Sequence, residues 1–128
     1  MSKAIGDLGE INFILKSKKL GLTVLTPYSS ACVYDIALDN GKDIIKVQVK
    51  TCNTTDSRGA YQITLCRGRR FKRSYDKYEI DYIAVYIMPL DKFFIIPVDD
   101  IIVKSIRFYP SKKSCRLSKY LERWDYFI

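Results

Sequence analysis

Lys46-Val47-Gln48-Val49-Lys50-Thr51 alternates polar and apolar side chains with a period of two. It reads as a strand that puts Gln48 and Lys50 on one face and Val47 and Val49 on the other. Upstream, Asp35 opens the apolar run Asp35-Ile36-Ala37-Leu38, and Asp39-Asn40-Gly41-Lys42 carries the Asn-Gly signal of a tight hairpin between the two runs. A hairpin of roughly 33–38 and 43–51 sets Asp35 beside Gln48 and Lys50. A carboxylate, an amide carbonyl and an ammonium on one sheet face are the parts needed to hold a divalent metal and an attacking water against a phosphodiester.

The rest of the chain bounds the chemistry. A length of 128 residues suits one domain, 1–128, with enough chain to bury a core without disulfides or structural metals. The 22 Lys and Arg against 14 Asp and Glu leave a formal charge of +8, an excess that complements a polyanion such as nucleic acid. Four cysteines, Cys32, Cys52, Cys66 and Cys115, show neither zinc-site pairing nor disulfide-scaffold density, and read as free thiols. No segment has signal-peptide order, and none approaches the ~20 apolar residues that span a bilayer. The expected location is therefore the cytoplasm, or an organelle interior if the gene is organellar. The absence of histidine excludes imidazole-based triads and leaves carboxylates, lysine and metal to do any catalysis.

Along the chain, Ile5, Leu8, Ile11 and Leu15 recur at helical spacing over residues 2–19, with Ser2 as cap and Gly21 as stop. Lys16, Lys18 and Lys19 fall in the last turn, where they complement the helix dipole. Strands are expected at 22–26, 60–66, 82–88 and 92–98, the last two so apolar that they are buried on both faces or lie against a partner. A short helical turn is expected at 99–102. Leu117, Leu121 and Trp124 predict a C-terminal helix over about 114–125. This order suggests a mixed α/β sheet flanked by helices.

Glu10 lies on the flank of the first helix, where Gly6 and Gly9 let another backbone approach. Gly-Xaa-Xaa-Gly-Glu on a first helix, Asp at a hairpin's first strand and Gln-Xaa-Lys on its second resemble the PD-(D/E)XK nuclease core. The resemblance extends over roughly residues 4 to 98 and is closest to group I intron-encoded homing endonucleases, where a Gln-Val-Lys-Thr strand replaces the usual acid-Xaa-Lys. It implies a restriction-endonuclease-like fold and a metal-dependent, site-specific endonuclease for double-stranded DNA. It also implies metal support from Glu10 and Asp35, water handling by Lys50, and a site completed by Gln48. Magnesium, with manganese able to substitute, would be held by Asp35, Glu10 and the Val49 carbonyl. Val33-Tyr34 stands before Asp35 where the family name puts proline. Gln48 brings one neutral oxygen where the pattern has an acid, so weak metal affinity in the absence of DNA is expected.

The run Arg67-Gly68-Arg69-Arg70-Phe71-Lys72-Arg73 is the densest positive stretch. Its Arg67, Arg69, Arg70, Lys72 and Arg73 suit a DNA backbone or groove. Ser29 and Ser30 offer hydroxyls that suit a turn and can also donate to a phosphate. A second cluster, Lys112, Lys113, Arg116 and Lys119, reads as a solvated connection. A long target and a small chain imply a homo-dimer or homo-tetramer, with the 82–88 and 92–98 strands and the Leu117, Leu121, Trp124 face as contact surfaces. Alternatives are a Holliday-junction resolvase of the same fold, which ordinarily keeps the acid before the lysine, and a noncatalytic nucleic-acid-binding or partner-binding module.

Overall fold

The hairpin forms where Asn40-Gly41 marks it. Gly41 takes φ +90°, a conformation that costs a residue without Cβ little. The Asn40 side-chain oxygen accepts from the Lys42 and Asp43 amides at 2.9 and 2.8 Å. The computed structural model of the protein describes residues 3–67, 73–112 and 116–128, the Arg73 side chain excepted. Within them a helix α1 (Lys3–Lys19) leads into β1 (Thr23–Leu25), β2 (Ile36–Asp39) and β3 (Ile44–Cys52). Then follow β4 (Tyr61–Thr64), β5 (Cys66–Arg67), β6 (Arg73–Ser74), β7 (Tyr82–Ile87), β8 (Lys92–Pro97) and β9 (Ser105–Phe108).

The main sheet has the order β1-β2-β3-β7-β8. It is antiparallel through β1, β2 and β3, parallel where β3 meets β7, and antiparallel again at β8. Strand periodicity sorts the core into two layers. Val47, Val49, Ala84, Tyr86, Phe93 and Ile95 pack with Phe13 of α1 on one side. Ile83, Val85, Ile87, Phe94 and Ile96 pack on the other against β4 and its partner β9. No helix among the described residues is long and apolar enough to cross a membrane.

Three expectations are corrected by this packing. The apolar spacing on α1 does not mark its buried face: Leu8, Ile11 and Leu15 are 44%, 58% and 50% exposed, while Gly9, Phe13 and Ser17 are buried. Close approach selects that face. A Cβ added at Gly9 would lie 1.9 Å from Thr51 Oγ1 and 3.2 Å from Thr51 Cβ, so only a residue without a side chain lets α1 settle on β3. Phe13 then fills an aromatic cluster, its ring centroid 5.6 Å from Phe93, 5.3 Å from Trp124 and 5.9 Å from Phe127.

The C-terminal helix is replaced, in the described part of that span, by 3₁₀ turns at Ser118–Tyr120 and Trp124–Phe127. Between them the chain lies along the edge of β8. Leu121 bridges Phe94, and Glu122 exchanges bonds with Phe93 through its amide and its carboxylate, both at 2.8 Å. Covering a sheet edge satisfies backbone groups that an amphipathic helix would leave open, and Glu122 at φ +53° ends any helical run. The third correction concerns β7 and β8. Both of their faces are filled by the chain's own side chains, so they are not the subunit contact surface that their composition suggested. Leu117 is likewise buried.

Lys16 in the last turn of α1 has a partner as well as a dipole. Its Nζ donates to the Asp91 carbonyl at 2.9 Å and pairs with Asp91 Oδ1 at 3.0 Å, where the Tyr86 hydroxyl also donates at 2.6 Å. This ties the helix to the β7–β8 turn.

The Gly9–Thr51 contact is testable. Gly9→Ala should destabilise the protein by up to about 2 kcal/mol in chemical denaturation, because an overpacking cost of ~1–3 kcal/mol is offset in part by a helix-propensity gain of ~1 kcal/mol. Thr51→Ala should recover part of that loss in a double-mutant cycle. Additive losses would place the strain elsewhere.

Candidate active site

The site arises from a mismatch in strand length. Pairing of β2 with β3 ends at Ile36 opposite Val47, whereas β3 continues to Cys52 alongside β7. The free edge of β3 beyond Val47 is met by Asp35, the residue just before β2. Its amide donates to the Val47 carbonyl at 3.0 Å, and its Oδ2 accepts from the Val49 amide at 2.9 Å. The N–H and C=O of one strand residue point to the same side, so the Val49 carbonyl lies on this edge too.

Glu10 reaches the notch from α1, one residue past the close approach at Gly9. Its carboxyl is raised above the usual range by burial and by the nearby negative charges of Asp35 and Asp7. The Asp35 carboxyl is raised chiefly by burial, against the lowering effects of the Val49 hydrogen bond and the Lys50 charge. Two carboxylates thus face each other at partly desolvated positions, where a cation would relieve the cost of keeping both ionised.

Lys50 enters from the face opposite α1. Its Nζ donates to the Cys66 carbonyl at 3.3 Å and stands 5.3 Å from the centroid of the Tyr75 ring, within range of a cation–π attraction. The Tyr75 hydroxyl is pushed up to about 12, by burial first and by Asp35 next. Burial pushes the Cys52 thiol up to about 11, although Lys50 opposes it. Gln48 shares the Lys50 face by alternation and is half-buried.

The donor set suits a hard cation in part. Among the described residues no three His, Cys, Asp or Glu side chains group to hold a metal ion. What the notch offers is two carboxylates and one backbone carbonyl, all oxygen donors of the kind magnesium and calcium take. Such a set leaves coordination positions for water and substrate.

Glu10, Asp35, Val49 and Lys50 therefore come together, and Gln48 lies two residues before Lys50 on the same strand face. Ser29 and Ser30 are exposed in the loop before the site, and Ser29 Oγ accepts from the Ala31 amide at 3.1 Å. The Arg67 guanidinium is half-buried in an ion pair with Glu79. Arg69, Arg70, Lys72, the Arg73 side chain, Lys113, Cys115 and the Ser2 cap lie outside the described residues. Tyr75 and the Cys66 carbonyl escaped sequence reading. An aromatic just past a cationic run was the available signal for Tyr75, and nothing in the sequence marks the Cys66 carbonyl.

A family model for PD-(D/E)XK endonucleases matches residues 1–127, and the chain belongs to that family. Its fold is similar to the solved structure of a bacterial homing endonuclease, I-Ssp6803I, with a TM-score of 0.87 and 27% identity over 98% of this chain and 91% of that one. It also resembles Hjc, a Holliday junction resolvase from the archaeal hyperthermophile Archaeoglobus fulgidus, with a TM-score of 0.50 and 16% identity over 83% of this chain and 84% of that one. The second likeness concerns the fold alone. A search among curated proteins found no match. The protein is a nuclease of restriction-endonuclease-like α/β fold.

Proposed function

We propose that residues 1–128 act as a single nuclease domain that cuts double-stranded DNA at specific sites with magnesium or manganese, in the manner of intron homing and inside the cell. The observation that carries this reading is the meeting of Glu10, Asp35 and Lys50 at the free edge of β3. Asp35, Glu10 and the Val49 carbonyl would hold the cation, and Gln48 would supply a neutral oxygen or a hydrogen bond. When bound, magnesium neutralises charge on the scissile phosphate. Lys50, braced by the Cys66 carbonyl and the Tyr75 ring, orients the attacking water and stabilises developing hydroxide. Hydrolysis forms a bond from the water oxygen to phosphorus, the water's proton passing to solvent, and breaks the phosphorus–oxygen bond to the leaving sugar, whose oxygen takes up a proton from solvent.

The positive run, with Arg67, Arg69, Arg70, Lys72 and Arg73, is proposed to grip phosphates beside the site. Ser29 and Ser30 would add donors from the preceding loop. Double-strand scission needs two opposed sites, so the working form is a homo-dimer or homo-tetramer.

Substrate preference separates homing from junction resolution. At equal concentrations of linear duplex and four-way junction, magnesium-dependent cutting should favour the linear duplex at a few sites in a long DNA. Light scattering of the DNA-bound protein should give at least twice the chain mass. Cleavage confined to four-way junctions would move the assignment to a resolvase.

A further inference from the structure

The strands β4 and β9 form a two-stranded antiparallel ribbon that the proposed chemistry leaves unused. Its inner face, Tyr61, Ile63, Ile106 and Phe108, packs on the core. Its outer face is a set of hydrogen-bonding side chains in two directly opposed pairs, Gln62 with Arg107 and Thr64 with Ser105. Gln62, Ser105 and Arg107 are exposed, and Thr64 is half-buried. The Leu65 amide donates to the Lys104 carbonyl at 2.7 Å, which extends the ribbon and adds an exposed cation at its end.

The placement of this face separates it from an ordinary solvated sheet surface. Gln62 and Thr64 line the same groove as Lys50 and Gly6 of α1. At Gly6 even an added Cβ would meet nothing within 4 Å. Cys66, whose carbonyl accepts from Lys50, follows β4 by two residues. A backbone seated against Lys50 therefore brings its neighbouring base pairs over the ribbon. Dimensions agree, because a major groove ~12 Å wide admits a two-stranded ribbon. Counted with Leu65 and Lys104, each strand runs to five residues, ~16 Å, and covers about five base pairs at ~3.4 Å each.

The residue types agree as well. Gln pairs with the N6 and N7 edge of adenine, Arg with O6 and N7 of guanine, and Ser or Thr with either. The Arg107 guanidinium is loosely held, 3.8 Å from Asp56 Oδ2 and about half exposed, so binding would not have to break a tight ion pair. The geometry points to the outer face of β4 and β9 as a reader of base edges in the DNA major groove, with Gln62 and Arg107 as the main determinants of sequence preference. This inference rests on the nuclease reading only for the class of ligand. Its test uses binding, so the two stand or fall separately.

The full chain, without metal, is used to select bound duplexes from a pool randomised over 20 base pairs, and the selected sequences are compared with those from Gln62→Ala and Arg107→Gln. Wild-type protein should enrich a motif. Each variant should lose roughly tenfold discrimination at one or two positions inside a window of about five base pairs and keep the rest. Placing 7-deazapurines, which lack the major-groove N7, in that window should weaken wild-type binding about tenfold and leave the matching variant unaffected. Both positions are exposed, and unchanged melting temperatures would establish that the variants are folded; Ser105→Ala gives a milder third variant. No enriched motif, identical motifs from all proteins, or an equal loss on every sequence would overturn the inference. Shifted motifs from a protein that cuts no DNA with magnesium would uphold it and sink the nuclease reading instead.

Discussion

Asp35→Asn is expected to lower magnesium-dependent cleavage at least about a thousandfold while leaving duplex affinity within a few fold. The amide keeps an oxygen that can accept from the Val49 amide, so the strand edge stays closed. What is lost is the anionic ligand, and a metal that supplies several kcal/mol of charge stabilisation corresponds to about three decades of rate. The same substitution should raise the melting temperature of the metal-free protein at neutral pH. The sign follows from linkage. Burial raises the Asp35 carboxyl in the folded state, so the folded protein holds that proton more tightly than the unfolded chain does. The stability this provides is present below the unfolded value and is lost as pH rises through the folded one. Above the folded value the ionised carboxylate is a net burden, which asparagine removes. Stability given up at a reactive site is a familiar trade. Single-turnover cleavage and thermal melts read the two effects, and a variant that melts lower at neutral pH would show that the carboxylate is not held there at a cost.

Lys50→Ala is the second large effect. Removing a donor aimed at developing charge typically costs about 10²–10³ in rate, and that range is expected here in single-turnover cleavage, with filter-binding affinity for duplex little changed. The positioning of Lys50 makes the test sharper. Tyr75→Leu removes the ring beneath Nζ and should cost about tenfold, mostly in the rate at saturating protein. Tyr75→Phe keeps the ring and should cost little. If Phe and Leu are equally impaired, the hydroxyl matters and the ring does not.

How much of this was legible in the residues varies with the range of the interaction. The hairpin and the alternation of Val47, Gln48, Val49 and Lys50 were readable because both depend on neighbours in sequence, and Asn40-Gly41 fixes the register. The notch was not readable. It requires β2 to start at Ile36 and β3 to run on to Cys52, and strand ends are set by what pairs across the sheet. The α1 stripe misled because Ile5, Leu8, Ile11 and Leu15 keep helical spacing whichever way the helix turns, and the turn is decided by the Gly9 contact with Thr51. Leu117, Leu121 and Trp124 misled in the same way, since pairing with β8 overrode their spacing. Tyr75 is far from Lys50 in the chain and close to it in space, a kind of neighbour that one sequence does not disclose.

The most direct measurement of the central claim, that the notch of Glu10, Asp35 and Lys50 hydrolyses DNA with a divalent cation, is single-turnover cutting of a supercoiled plasmid carrying a cognate site. The wild-type chain is compared with Asp35→Asn under magnesium and under chelator. Linear product is expected from the wild-type chain with magnesium only, restored when magnesium is returned, and intact plasmid from the variant throughout. Equal cutting by the two proteins, or a wild-type chain that binds the plasmid and leaves it intact with both magnesium and manganese, would contradict the claim.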